Sequence, residues 1–358
     1  MAKRTALYEK ILEYSPQITE FGGWDMPLYF KGIIPEHLNV RAYSGIFDVS
    51  HMGKIVFEAN TSVNSLFTID PMKVPMNRAK YTMMLDDMGR IIDDMILYRL
   101  SDKSFFLVPN AATVDLIYSR IIKYTTAINI TLDMAILSVQ GPKSKEIMET
   151  LFGDVKMPFY GFKFFPSLLA NPSPLPITGK KEVLLSRTGY TGELGYELYV
   201  PNNDAIPYWN KIFETEDKSK IMPVGLGARD TLRLEKGYLL SGSDFHNDKT
   251  PVEANLMKFI DLEHNFVGKN AVIEHLNNQK EFLCGIVMDK TGAIPRHSSE
   301  IYDAKGKQIG HVTSGTISPS LKKGIALGYI SNGKKGDKIK VKIRNNLEEG
   351  TIVDLPFL

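Results

Sequence analysis

A single cysteine stands among the 358 residues, so no disulfide can form within the chain. That fits a reducing compartment, where thiols stay reduced. Cys284 lies in the apolar run Phe282–Met288. A thiol there packs rather than attacks, because burial raises its pKa. No apolar run reaches the roughly 20 residues that a membrane-spanning helix needs. The opening Met-Ala-Lys-Arg-Thr-Ala-Leu-Tyr lacks the apolar centre of a secretory signal. The chain is therefore expected to be soluble and cytoplasmic, with no membrane partner. Net charge is also scarce, at a formal +2, which gives no support to nucleic-acid binding driven by bulk charge. The one basic cluster, Lys322–Lys323 with Lys334–Lys335 nearby, reads as solvated loops. None of the histidines sits at ligand spacing with another histidine or with the cysteine, so no metal is expected. No Gly-x-Ser-x-Gly elbow or Cys/His arrangement is present, which argues against nucleophilic hydrolysis.

What is present is enough chain for two or three domains. Tyr81–Leu85, Ile91–Tyr98 and Ser104–Val108, separated by Asp-Asp-Met-Gly and Ser-Asp-Lys, predict an antiparallel meander. Asn110 then opens a helix, with Val114, Ile117, Tyr118, Ile121 and Ile122 on one apolar stripe. Further helices are expected after Gln140-Gly-Pro142, ended by Gly153, after Asp204, and over about 226–236, ended by Gly237. Strands and helices do not alternate regularly, which argues for α+β rather than a doubly wound sheet. From Phe282 onward only short strands and glycine-marked turns remain, the pattern of a compact all-β barrel or sandwich.

Three stretches carry candidate chemistry. In Arg187–Leu198, three glycines, two tyrosines and two carboxylates, Glu193 and Glu197, are packed between two strand-like runs. Glycine there says turn, and the tyrosines and acids make a cradle for a flat hydrogen-bonding heterocycle; a decorated hairpin with surface acids is the alternative. Asp93 and Asp94 share a strand, so their carboxylates point to opposite faces. Asp94 shares its face with Ile92, Ile96 and Tyr98, which makes it the better acid or base; otherwise it is a hydrogen-bonded structural aspartate, with its neighbour turned to solvent or a turn. In Val224–Glu235, Gly225-x-Gly227 invites a dinucleotide reading, but Asp230 stands where a third glycine belongs and would repel a pyrophosphate. Arg229 and Arg233 lie one helical turn apart, and Arg229 can meet a ligand or form an internal salt bridge.

Many blocks in order carry a resemblance. They include Phe21-Gly-Gly-Trp-Asp-Met-Pro-Leu28, Gly45-Ile-Phe-Asp-Val-Ser-His-Met-Gly53, Ile92-Asp-Asp94, Thr188–Glu197, Gly225-Leu-Gly-Ala-Arg-Asp230 and Thr313-Ser-Gly-Thr-Ile-Ser-Pro-Ser-Leu321. With these the chain closely resembles the folate-dependent aminomethyltransferase family, the T-proteins of the glycine cleavage system. The resemblance implies an α+β protein of three domains in a ring around a central folate cavity. Two α+β domains would be interleaved within 1–275, approximately 1–50 with 137–170 and 200–275, and 51–136 with 171–199. An all-β barrel would fill 276–358. It also implies Asp94 as the catalytic carboxylate. Glu197 would bind the pterin edge, with Arg229 on the ligand and Tyr81, Ile96, Tyr98, Asn110, Met52 and Tyr190 lining the pocket.

The implied reaction moves a one-carbon unit to tetrahydrofolate, the acceptor substrate, from an aminomethyl group on the dihydrolipoyl arm of an H-protein, with release of ammonia. The H-protein is thus the expected partner, with Lys322 and Lys323 as candidate docking residues for an acidic surface. Two departures from the family pattern stand out: Pro109 before Asn110, and no segment beyond Pro356-Phe-Leu358 where relatives often carry a further folate contact. The alternatives are a free-standing folate-dependent demethylase of a small N- or S-methyl compound and a non-enzymatic folate-binding factor for iron–sulfur assembly or RNA modification. Cys284 lacks the motif setting of the latter.

Overall fold

The computed structural model describes residues 2–169, 171–175, 181–215 and 220–358. The chain divides into two compact units: Met1–Thr82 with Asp93–Arg229, and Met83–Ile92 with Asp230–Leu358.

The first unit is built on a six-stranded and a five-stranded sheet, with a two-stranded antiparallel sheet, Gln17–Phe21 and Trp24–Tyr29, beside them. The six-stranded sheet runs in the order Phe162–Pro166, Glu182–Ser186, Gly195–Pro201, Met134–Gln140, Ser44–Asp48, Ile221–Pro223. Its pairings are antiparallel except the last, where Ile221–Pro223 runs parallel to Ser44–Asp48. All seven residues of Met134–Gln140 are buried, as a central strand with both faces covered requires. Helices Tyr8–Leu12, Ser144–Phe152 and Ala205–Glu214 supply Ile11, Ile147, Met148, Trp209 and Ile212 to the same core as Ile46, Leu137, Val139 and Leu198. Trp209 is completely buried and donates its indole N–H to the Tyr14 hydroxyl at 3.2 Å. Truncating such a residue to alanine costs about 3–5 kcal/mol.

Strands Glu182–Ser186 and Gly195–Pro201 thus lie in one sheet with Ser44–Asp48 and Met134–Gln140.

The second sheet has the order Ala79–Leu85, Ile91–Arg99, Ser104–Val108, Ile55–Glu58, Ala127–Asn129. It contains the expected meander, and the hairpin tip Met83–Ile92 is grouped with the second unit. Phe57 stacks between Phe67 and Phe105, with ring centroids 5.6 and 5.7 Å away. The expected helix spans Val114–Ile121 and buries Val114, Ile117 and Ile121. It starts four residues later than Asn110, because Asn110 and Thr113 turn their side chains to the aspartates rather than to a helix start.

In the second unit a closed six-stranded barrel has the order Phe282–Met288, Lys323–Ile330, Gln308–Ser318, Glu300–Asp303, Lys338–Ile343, Asn346–Val353, the last strand pairing back onto the first. Closure leaves no open sheet edge. Cys284 sits in the barrel core among Ile286, Ile301 and Ile330, where burial pushes its thiol up to about 12. The protein is thus α+β with a C-terminal barrel. Among the described residues, no helix is long and apolar enough to cross a membrane.

Candidate active site

The register of the second sheet positions the aspartates. Ile96 pairs with Val108 in an antiparallel ladder, so two residues further along Asn110 faces Asp94. The Asn110 amide nitrogen lies 2.9 Å from Asp94 Oδ1 and 3.0 Å from the Asp94 carbonyl oxygen. From the neighbouring strand, the Tyr81 hydroxyl donates to Asp94 Oδ2 at 2.9 Å. Burial, then the Asp94 charge, raise the Tyr81 pKa well above its ordinary value, so the phenol remains a proton donor. Asp94 is half-buried, with each carboxylate oxygen receiving a neutral donor.

Asp93 is the more deeply buried of the pair, at 0% exposure. The expectation that Asp94's neighbour faces solvent or a turn holds only for the turn: Asp93 points into the Asn110–Thr113 turn. There it accepts from the Asn110 backbone N–H (3.1 Å), the Asn110 amide (2.7 Å) and the Thr113 hydroxyl (2.6 Å). These donors compensate a burial that would otherwise be prohibitive for a carboxylate. Burial and the nearby Asp94 charge still push its pKa up, against the pull of Thr113 and Asn110.

The second group forms on the turn between strands Glu182–Ser186 and Gly195–Pro201. Gln140 is its knot. The buried amide donates to Ser138 Oγ (3.0 Å) and the Thr188 carbonyl (3.1 Å), and accepts from Thr191 Oγ1 (3.0 Å). A Cβ at Gly189 or Gly195 would lie 2.1 Å from Gln140 Oε1, so a side chain at either position would displace the hydrogen-bonded end of Gln140. Glu197 then accepts from Thr188 Oγ1 at 2.5 Å, with the Tyr199 hydroxyl at 3.5 Å. Burial raises the Glu197 pKa, while Thr188, the Arg229 charge and Tyr199 pull it down. Glu193, the other acid of the turn, is committed to Arg41 at 2.8 Å. Tyr98 is fully buried, its hydroxyl 3.0 Å from that of Tyr199. That hydroxyl also lies 3.4 Å from Thr188 Oγ1, the donor to Glu197.

Arg229 links the groups. Its guanidinium lies 4.7 Å from the centroid of the Tyr190 ring, a cation–π arrangement. Tyr190 is in turn close enough to Tyr81 to influence its ionisation. The helix Leu226–Glu235 reaches this place because Gly225 and Gly227 carry no side chain: a Cβ at Gly225 would lie 2.4 Å from the Leu28 carbonyl oxygen. Those glycines thus serve backbone packing, with the buried Glu36 accepting from the Gly225 N–H at 2.9 Å. Arg233, one turn on, forms buried bonds to Asp244 (2.7 Å) and Ser314 (2.8 Å).

The Asp48–Gly53 turn completes the cluster. His51 is buried and lowered to about 3 by burial, then by the Arg229 and Lys54 charges, so its imidazole is neutral. Lys54 is also buried and donates to the carbonyls of Ser50 (2.8 Å) and Met52 (2.9 Å), which fixes the turn that carries Met52. Met52, Tyr81, Asp94, Ile96, Asn110, Tyr190, Glu197 and Arg229 are all half-buried, unlike Tyr98. A cavity of about 430 Å³ lined by Tyr14, Phe30, Phe213 and Met222 shares no residue with this cluster. Among the described residues, no three His, Cys, Asp or Glu side chains gather to hold a metal ion.

Residues 7–264 match the family described as GCVT N-terminal domain, and residues 282–358 the one described as Glycine cleavage T-protein C-terminal barrel domain. The chain belongs to the glycine cleavage T-protein family. Its similarity to other T-proteins runs end to end. Aminomethyltransferase of Caldanaerobacter subterraneus is 39% identical over 99% of this chain and 96% of its own length. That of Halothermothrix orenii is 38% identical over 99% and 100%, and that of Bacillus subtilis 37% over 100% and 99%. The crystal structure of glycine cleavage system aminomethyltransferase T from Bartonella henselae matches with a TM-score of 0.90 at 28% identity, over 100% of this chain and 98% of that one.

In this T-protein family member, sequence reasoning missed Gln140 and Thr188 as the supports of Glu197, and Lys54 as the support of Met52. The signal for Gln140 was available: a long polar side chain at the end of the otherwise largely apolar strand Met134–Gln140.

Proposed function

We propose that this chain is a tetrahydrofolate-dependent aminomethyltransferase. It takes the one-carbon unit from the aminomethyl-dihydrolipoyl arm of an H-protein and releases ammonia. Two C–N bonds to folate nitrogens form, while the C–N bond to the departing amine and the C–S bond to the arm break. The two folate N–H protons are balanced by the ammonia and the freed thiol. The observation that carries this reading is Asp94, a half-buried carboxylate held on both oxygens by neutral donors. Such a group can accept the proton of the attacking nitrogen or stabilise the positive charge that develops there. Tyr81 and Asn110 fix its position, and further acceleration comes from holding arm and folate together.

The flat ligand is met by Tyr190 and Arg229, with Met52 and Ile96 as apolar wall. Glu197 accepts from the N–H edge of the pterin. Asn110 meets folate through its amide oxygen, since its amide nitrogen is engaged by the aspartates. Tyr98 contributes indirectly, through Tyr199. Lys322 and Lys323 are proposed to meet an acidic H-protein surface; added salt then raises the apparent KM for the loaded H-protein and leaves that for folate unchanged.

The test is turnover with tetrahydrofolate and aminomethyl-loaded H-protein, run beside free aminomethyl-dihydrolipoamide and a panel of small N- and S-methyl compounds. Ammonia and methylenetetrahydrofolate should form in equal amounts from the loaded protein. Turnover of a methyl compound in place of the loaded protein would make the chain a demethylase.

A further inference from the structure

The buried Asp93 has no part in the chemistry just described, yet it is bonded to the residue that holds Asp94. One amide nitrogen, Asn110 Nδ2, lies 2.7 Å from Asp93 Oδ1 and 2.9 Å from Asp94 Oδ1, so a single side chain bridges the carboxylates of two successive residues of one strand. An amide nitrogen has two hydrogens. With one committed to Asp93, the other is shared between Asp94 Oδ1 at 2.9 Å and the Asp94 carbonyl oxygen at 3.0 Å, and the amide cannot rotate without breaking these bonds. Asp93 also accepts the Asn110 backbone N–H, so it fixes this residue at main chain and side chain together. Its remaining partner, Thr113, has an alternative in the Asn110 carbonyl oxygen at 3.1 Å.

Building on the proposed role of Asp94, we infer that Asp93 is a positioning residue for the reaction, which acts through the Asn110 amide to fix the orientation of the Asp94 carboxylate. An asparagine at 93 keeps the volume but offers one acceptor oxygen where three donors converge. Its own N–H₂ must then confront a donor, and the Asn110 amide is released.

The experiment is a double-mutant cycle on the full chain with loaded H-protein and tetrahydrofolate. Asp93→Asn is expected to lower kcat roughly 10-fold to 100-fold, and Asn110→Ala by a similar factor. The double variant should lie within about 3-fold of Asn110→Ala, because the link from Asp93 to the Asp94 carboxylate runs through that amide. Thr113→Ala should stay within about 3-fold of the parent. Losses that multiply in the double variant, or a Thr113→Ala loss as large as that of Asp93→Asn, would overturn the inference in favour of a general folding role.

A readout without turnover separates this from the proposed function. In Asn110→Ala, carbon-detected NMR titration of Asp94 should show its midpoint raised by about one pH unit, since a donor to the ionised carboxylate is lost. An unmoved midpoint sinks the inference even if Asp93→Asn fails to fold. An inactive parent protein with the expected NMR displacement would instead count against the proposed function alone.

Discussion

Glu197→Gln keeps the shape of the side chain and removes its charge. In the proposed complex that charge meets the N–H edge of the pterin. A hydrogen bond to a charged group contributes about 1.5–3 kcal/mol. The lower half of that range applies here, because Thr188 at 2.5 Å and the Arg229 charge already stabilise the carboxylate. A loss of about 1.5–2 kcal/mol corresponds to roughly a 10-fold to 30-fold rise in Kd. Anaerobic calorimetric titration of tetrahydrofolate measures it directly. The pH dependence supplies a second handle. Burial raises the Glu197 pKa, so the carboxylate is present above that raised value and lost as pH falls through it. The affinity of the parent protein should weaken on acidification sooner than an ordinary glutamate would allow, and that of Glu197→Gln should not follow. An unchanged Kd at neutral pH, or an identical acid-side loss in both proteins, would remove Glu197 from the pterin edge.

Asp94→Asn should lower kcat about 100-fold in the steady-state assay while folate still binds; an equal loss of folate affinity would make Asp94 a binding group instead. Gly195→Ala should destabilise the first unit by about 2 kcal/mol or more, read by urea denaturation, because the new methyl would lie 2.1 Å from the buried Gln140 oxygen. A midpoint unchanged from the parent would mean that Gln140 can withdraw. Lys54 predicts a pH dependence of stability. Its pKa is lowered to about 7 by burial, with Asp48 and Asp133 opposing. The unfolded chain therefore holds a proton between about pH 7 and the ordinary lysine value of 10.5 that the folded chain has released. Stability should rise across that window, by on the order of a few kcal/mol. Thermal melts of Lys54→Met should lack this rise; parallel curves for the two proteins would place the lysine in water.

The one-dimensional pattern of the chain was sufficient for its local elements. Alternation within Ile91–Tyr98 and Ser104–Val108, the helical stripe of Val114, Ile117 and Ile121, and the glycine-marked strands after Phe282 all reflect contacts close in sequence or a strict period of two or 3.6 residues. Cys284 in an apolar run became a core thiol for the same reason. The resemblance supplied the family, which neither composition nor spacing carried. Three-dimensional pairing decided what lies together. The two aspartates could be assigned to opposite faces from sequence, but which face was buried depended on Asn110 and Thr113, delivered by a neighbouring strand and turn. Likewise Glu193 and Glu197 look equivalent in the turn. Arg41, 152 residues away, claims the first, and Thr188 with Arg229 shapes the second. The glycines at 189 and 195 looked like turn punctuation, and one amide from a strand about 50 residues earlier shows them to be spaces for Gln140. A side chain's ionisation and reach are set by its nearest neighbours in space, and for the groups that matter here those neighbours are distant in the chain.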